Sequence, residues 1–230
     1  MSEVPIVPPM KASTIEKKAE EILRRYYPTV FTAPSSTPVD NFFEFIIPEF
    51  DCIKTSYTNL NMLGIAAEGY TNATQKISII DESLANDFTP WGRRRFRATV
   101  GHESGHCILH VPLCRWQASL QVIGKGMHRE RSTMKVFEDP EWQAWRFAHA
   151  FCMPARTVIK AVNKWGTGPE GINALVETFD MNPAFVRTRL KMLKIIPADR
   201  AMISGKRNMP GIQMFRQTGR GLMDNLCAKG

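Results

Sequence analysis

The 230-residue sequence predicts an α+β fold, mostly helical with a small antiparallel sheet. Three observations lead there. Apolar residues recur at helical spacing near the start of the chain and again through its second half. Three short β-rich segments, separated by Asn, Gly and Thr, lie between residues 52 and 81. The order is therefore helices, sheet, then helices, instead of a one-by-one alternation of strand and helix.

Taken in order, residues 1–12 are Pro-rich and are expected to be disordered. Ser13 with Glu16 three positions on has the capping-box arrangement, and Ile15, Ala19, Ile22 and Leu23 give the following helix its apolar stripe as far as Tyr26. A Pro/Ser/Thr loop, 28–38, leads to a second apolar helix over Val39–Ile47, which stops at Pro48. Cys52–Tyr57, Leu63–Glu68 and Lys76–Asp81 are the three expected strands. A long helix should follow over Gly92–His110, ended by Pro112, and residues 112–138 read as basic and irregular with turns at Gly124 and Gly126.

Asp139-Pro140 is a strong helix start, a capping acid followed by proline at the first helical position. That helix should run to Cys152 or Met153, and another should run from Pro154 to Lys164. After the glycines at 166–171, two helices are expected over Ile172–Phe179 and Pro183–Leu193. The resulting organisation is a disordered start (1–12), a main domain (13–165), a C-terminal helix pair packed on it as a helical-bundle segment (166–197) and a basic, flexible tail (198–230).

Composition is that of an ordinary globular chain, 43% hydrophobic and 23% charged. No apolar run reaches the ~20 residues that would span a bilayer, and the first residues lack a signal-peptide pattern. The cysteines at 52, 107, 114, 152 and 227 form neither an even framework nor a CxxC pair. Reduced thiols in a cytoplasmic protein without a membrane partner fit that usage. Net charge is +8, and half of the excess falls within residues 198–230. Such a tail reads first as a solvated segment, and second as a contact for nucleic acid or an acidic surface.

The chemistry concentrates in Thr99-Val-Gly-His102-Glu103-Ser-Gly-His106, an HExxH motif. Histidines four apart share one helix face, so both imidazoles can reach a single zinc ion, with Glu103 held beside the metal's water as general base. Gly101 and Gly105 each cost about 1 kcal/mol in a helix, which points to a neighbouring element in close approach. The HExxHxxGxxH extension is excluded, because the chain has Leu109 and Pro112 where that pattern needs glycine and histidine. His110 lies about 12 Å along a straight helix from His102, too far for one zinc, and reads as a pocket-edge or packing residue. Glu141 is the better third ligand, in the first turn of the helix that opens at Asp139; by spacing alone it also reads as a favourable helix-start charge.

These blocks resemble the ImmA/IrrE family of metallopeptidases. The first is Arg97-Ala-Thr-Val-Gly-His102-Glu103-Ser-Gly-His106, and the second is Glu141-Trp-Gln-Ala144-Trp-Arg-Phe147-Ala148 continuing to Met153-Pro154. Phe137-Glu-Asp-Pro140 resembles the family's lead-in to the second block, and Leu175 through Leu190 its closing helix pair. The resemblance covers residues 14–197. It implies a zincin-like domain with His102, His106 and Glu141 as metal ligands and Glu103 as catalytic base. Zinc is the expected ion, with manganese or iron as alternatives. It further implies limited cleavage of a partner protein, a helix-turn-helix DNA-binding repressor of mobile-element or stress genes. Ala98, Ser104 and Trp145 depart from the family pattern, where phenylalanine, a hydrophobic residue and asparagine are usual.

His110, His128, His149 and Tyr70 are candidates for a second oxyanion donor. Two rival functions remain beside peptidase activity. One is a DNA-binding or regulatory protein with a structural metal, drawing on the net charge and the helix pair at 172–193. The other is a scaffold of the same shape without activity. In the first rival, Arg187, Arg189, Lys191 and Lys194 would serve phosphates; otherwise they are the solvated face of a packing helix.

Overall fold

The computed structural model describes residues 3–119, 128–130 and 134–198, so the expected basic tail and the turns at Gly124 and Gly126 lie outside the described residues. The fold is α+β. Its first element is a surprise from the segment expected to be disordered. Residues 3–5 form a short strand, β1 (Glu3–Pro5), and the chain beyond it is held in place: Val7 is buried, and Met10 N donates to Phe137 O. Proline content argued against regular structure, but an edge-type pairing tolerates proline where no ladder bond is needed.

Helix α1 (Ala12–Tyr26) buries the expected stripe of Ile15, Ala19, Ile22 and Leu23. Its start differs from expectation. Lys11 is the N-cap, without a side-chain cap, and Glu16 turns away to pair with Arg189 instead of closing a capping box. The second helix is a short irregular one, α2 (Val39–Asn41) running into a π turn, Phe42–Ile46, and a tight turn, Ile47–Glu49. The widened turn buries Phe42 and Phe43 together, and Phe42 meets Phe151 with ring centroids 4.5 Å apart.

The sheet comprises β2 (Lys54–Thr58), β3 (Gly69–Asn72) and β4 (Ile77–Asp81) in the order β2-β4-β3. It is mixed, which corrects the expected antiparallel sheet: β2 pairs with β4 in parallel, Lys54 opposite Ile77, while β3 and β4 form an antiparallel pair. Neighbours in sequence usually pair, but β4 carries the buried Ile79 and Ile80, and the strand with most to bury takes the centre. The expected strand Leu63–Glu68 is a loop: Leu63 and Ile65 pack beside Leu60, Tyr70 and Ile79, and the strand begins at Gly69.

A short helix, α3 (Glu82–Ala85), leads to α4 (Pro90–Leu109). After His110 the chain resumes as α5 (Val111–Ser119), where helix was not expected; Pro112 sits in its first turn, where a missing N–H costs nothing. β5 (His128–Glu130) pairs antiparallel with β1. Helices α6 (Pro140–Cys152), α7 (Ala155–Trp165), α8 (Pro169–Phe179) and α9 (Pro183–Met192) follow the expected spans closely. One apolar core joins α1, the sheet, α4, α6 and the α7–α9 group, with α4 packed chiefly on α6. Among the described residues, no helix is long and apolar enough to cross a membrane.

Candidate metal centre

Helix α4 starts on Thr89, whose hydroxyl accepts from Gly92 N, with Pro90 in the first turn. It then enters the core, and every residue from Arg97 to Leu109 is buried. A helix covered on all sides holds polar side chains at least cost where they meet a counterpart on a neighbouring element. For His102 and His106 that neighbour is α6. Asp139 caps α6 by accepting from Glu141 N at 3.0 Å, which places the Glu141 carboxylate at the positive end of the helix.

The close approach expected from the glycines is present. A Cβ at Gly105 would stand 2.9 Å from Ala144 O and 3.0 Å from Ala144 Cα, and one at Gly101 would meet Cys152 Sγ at 2.9 Å. Backbone against backbone at this distance lets Glu141 reach across to the histidines. His102 Nε2 and His106 Nε2 are 3.0 Å apart, His106 Nε2 is 3.0 Å from Glu141 Oε1, and His102 Nε2 is 3.3 Å from Glu141 Oε2. Ligand atoms of the three residues all lie within 4.8 Å of one another, and all three residues are buried. Atoms bound tetrahedrally to one zinc stand about 3.3 Å apart, given bond lengths near 2.0–2.1 Å.

The donor set therefore fits a metal ion. Glu141 Oε1 is buried without a hydrogen-bonding donor, an arrangement a cation would satisfy. Burial alone would push the Glu141 carboxyl up, but the charge of His106, the contacts from both imidazoles and the charge of His102 hold it well below the usual carboxylate range. It is an anion at neutral pH, as a ligand must be.

Glu103, next to His102 on α4, is seated against β3. Its Oε2 accepts from Thr71 Oγ1 at 2.6 Å, and Thr71 is in turn 2.8 Å from Ser78 Oγ on β4. Gly69 completes this seat, because a Cβ there would fall 2.6 Å from Glu103 Oε1. Burial pushes the Glu103 carboxyl up to about 7, opposed by His106 and the Thr71 hydrogen bond and assisted by the charge of Glu141. A carboxyl poised there can take up and return a proton near neutral pH.

His110 is outside the candidate donor group and away from the surface. It is fully buried beside His106, Nδ1 to Nδ1 at 3.0 Å, and its Nε2 lies 3.1 Å from Gln143 Oε1. Gln143 Nε2 donates to Pro8 O at 3.0 Å and to Phe137 O at 2.9 Å. Burial, with the charge of His106, pushes His110 down to about 3. The H-x-x-x-H spacing from 106 to 110 was the available signal for this contact. Nothing in the sequence pointed to Gln143.

Of the other oxyanion candidates, His149 and Tyr70 stand away from the centre. His149 is buried and stacked on Phe185 with centroids 3.7 Å apart. Tyr70 alternates with Gly69 and Thr71 along β3, so it faces away from Glu103, and its hydroxyl accepts from Asn72 Nδ2. The side chain of His128 lies outside the described residues. Of the departures from the family pattern, Trp145 lays its ring against His102, centroids 4.4 Å apart, and Ser104 is buried with its hydroxyl unpartnered. Phe96 leans on Tyr57 at 5.9 Å. Burial pushes the Cys107 and Cys114 thiols up to about 12 and about 11, which disfavours their thiolates.

The helix pair departs from the DNA-facing reading in one residue. Arg189 is fully buried, its guanidinium paired with both oxygens of Glu16 and donating to Met153 O, so it serves no solvated or phosphate-facing surface. Against models of protein families and against curated proteins, the chain has no match.

Proposed function

We propose that the chain is a zinc-dependent endopeptidase with a zincin-like fold that makes limited cleavages in a partner protein. The observation that carries this reading is the pairing of two arrangements on one helix. His102, His106 and Glu141 offer a buried N,N,O donor set, and Glu103, adjacent in sequence, is a carboxyl raised to about 7. A structural site needs only the first of these. A hydrolase needs both.

His102, His106 and Glu141 would hold the ion, which when bound supplies Lewis acidity toward a peptide carbonyl and acidifies water to a pKa of ~7. The chain's own part is proton management. Glu103 accepts a proton from the attacking water and later delivers it to the leaving amine. Thr71 holds Oε2 and Gly69 leaves room for Oε1, so the carboxyl turns little between the two tasks. Trp145 shields His102 on the α6 side, which keeps the donor set from bulk water. The resemblance to the ImmA/IrrE blocks supplies the substrate class, a DNA-binding repressor in the cytoplasm.

The test compares new protein N-termini by mass spectrometry in host cells expressing the wild type or Glu103→Gln, with zinc content measured on both purified proteins. We expect one or a few termini unique to the wild type, equal zinc in both proteins, and a loss of about 10²–10⁴-fold in cleavage rate for the variant. Identical termini, with metal bound and partners present, would replace this reading with the regulatory one.

A further inference from the structure

Two backbone carbonyls fix the orientation of a buried amide that lies two hydrogen bonds from the candidate metal site. Gln143 Nε2 is placed between Pro8 O and Phe137 O, at 3.0 and 2.9 Å. Carbonyl oxygens only accept, so the amide cannot be turned the other way without two lone-pair clashes. Its Oε1 therefore faces His110 as an acceptor, and His110 must present a proton on Nε2, 3.1 Å away. A neutral imidazole with its proton on Nε2 has a lone pair on Nδ1. That lone pair lies 3.0 Å from His106 Nδ1, which must then carry its own proton. In the neutral imidazole the lone pair then falls on the remaining nitrogen, His106 Nε2, which lies beside Glu141 and His102 Nε2.

We infer that His110 and Gln143 are positioning residues for the metal site, forming a one-way chain of hydrogen bonds that holds His106 in its metal-binding tautomer. The chain begins in the N-terminal segment, at Pro8, and in the turn before α6, at Phe137. Each link has a single allowed direction, so the chain assigns a proton to His106 Nδ1 and leaves Nε2 as the nitrogen that can face an ion. His102 lacks this support: its Nδ1 is buried without a hydrogen-bond partner. Orientation by hydrogen bonds is thus given to one of the two histidines, while His102 lies against the tilted ring of Trp145.

The inference rests on the metal site proposed above, and its test keeps the two apart because it needs no substrate. Cobalt(II) and zinc(II) affinities of the full chain are measured by competition with a chromophoric chelator, for wild type, His110→Phe, His110→Asn and Gln143→Leu. His110→Phe keeps the ring volume but removes the acceptor, and affinity should fall about 10–100-fold. His110→Asn puts an amide oxygen near the place of Nδ1 and should regain most of that loss. Gln143→Leu, one bond further from the ligand, should weaken binding in the same direction. In parallel, long-range ¹H–¹⁵N spectra of the unsubstituted zinc-loaded protein should show His106 protonated at Nδ1 and His110 at Nε2; this arm decides the matter if a variant fails to fold. Equal affinity in wild type and His110→Phe, or a proton on His110 Nδ1, would overturn the relay while leaving the peptidase reading intact. A wild type that binds neither metal would overturn both.

Discussion

Helix α6 carries a buried polar cluster toward each end, and the two are built on opposite principles. Near its start, His102, His106 and Glu141 bring converging lone pairs and a negative charge to one point. Toward its end, Arg189 clasps Glu16 with two guanidinium nitrogens, beside Arg146 and His149. Glu141, Trp145 and His149 are spaced four apart on one stripe, so the Trp145 ring stands between the clusters, 4.4 Å from His102 and 6.5 Å from His149. The Glu16–Arg189 pair contains both its charge and its countercharge. The histidine–carboxylate group lacks a permanent cation. Burial of polar groups is common to both, and only the imbalance of acceptors over donors separates a metal centre from a structural brace.

The sharpest way to break this contrast is to remove the carboxylate on each side. Glu141→Gln should abolish stoichiometric zinc binding, an affinity loss well beyond the 10–100-fold expected for a supporting residue, while the metal-free protein stays folded. Competition titration with circular dichroism checks both statements. Glu16→Gln should do the reverse. It leaves the fully buried Arg189 without its counter-ion and should cost about 3 kcal/mol in urea denaturation of the metal-free protein, with zinc affinity unchanged.

A smaller effect should follow from filling the gap between the helices. Gly105→Ala gains about 1 kcal/mol of helix propensity but drives a methyl into the Ala144 backbone. Overpacking of this kind costs about 1–3 kcal/mol, so we expect a net loss of about 1 kcal/mol and weaker zinc binding as Glu141 is pushed off its partners. A variant as stable as wild type and as tight for zinc would show that the approach of α4 to α6 does not place the third ligand.

An effect of similar size is on pH dependence. Burial, then the charges of Arg189 and Arg146, hold His149 well below its ordinary 6.5. The folded protein keeps this imidazole neutral while the unfolded chain protonates below about 6.5, so the unfolded state binds more protons and stability falls as pH drops. Between pH 6 and 5, one such group contributes a loss of about 1.4 kcal/mol per unit at most. His149→Phe should remove one proton's worth of that slope, read from denaturation midpoints across the interval. An unchanged slope would place a charged histidine in the brace.

Much of this was legible in the sequence. The HExxH spacing identified the two histidines, Asp139-Pro140 located the start of α6 within a residue, and the paired glycines announced the contact at Ala144. These are local signals, readable from helix geometry. What escaped was set by long-range partners. Sheet order depended on which strand had most to bury, the capping box at Ser13 lost Glu16 to a residue on α9, and residues 3–12 gained order from β5, Phe137 and Gln143. His110 shows the boundary well. Its distance from His102 along the helix argued against ligation, but its contact with a glutamine on another helix had no signal in the sequence.

Gly69 carries a consequence for how this chain can evolve. Its missing side chain is the space in which Glu103 sits, since a methyl there would overlap Oε1. Position 69 and position 103 are therefore bound into one inheritance: as long as the glutamate keeps this seat, any side chain at 69 displaces it. Under the proposed peptidase reading, a lineage that gave up catalysis would be released from that constraint and could accumulate alanine or serine at the strand. In descendants of this sequence, the residue aligned with Gly69 would then record whether the seat of Glu103 had been kept, even where the histidines survive.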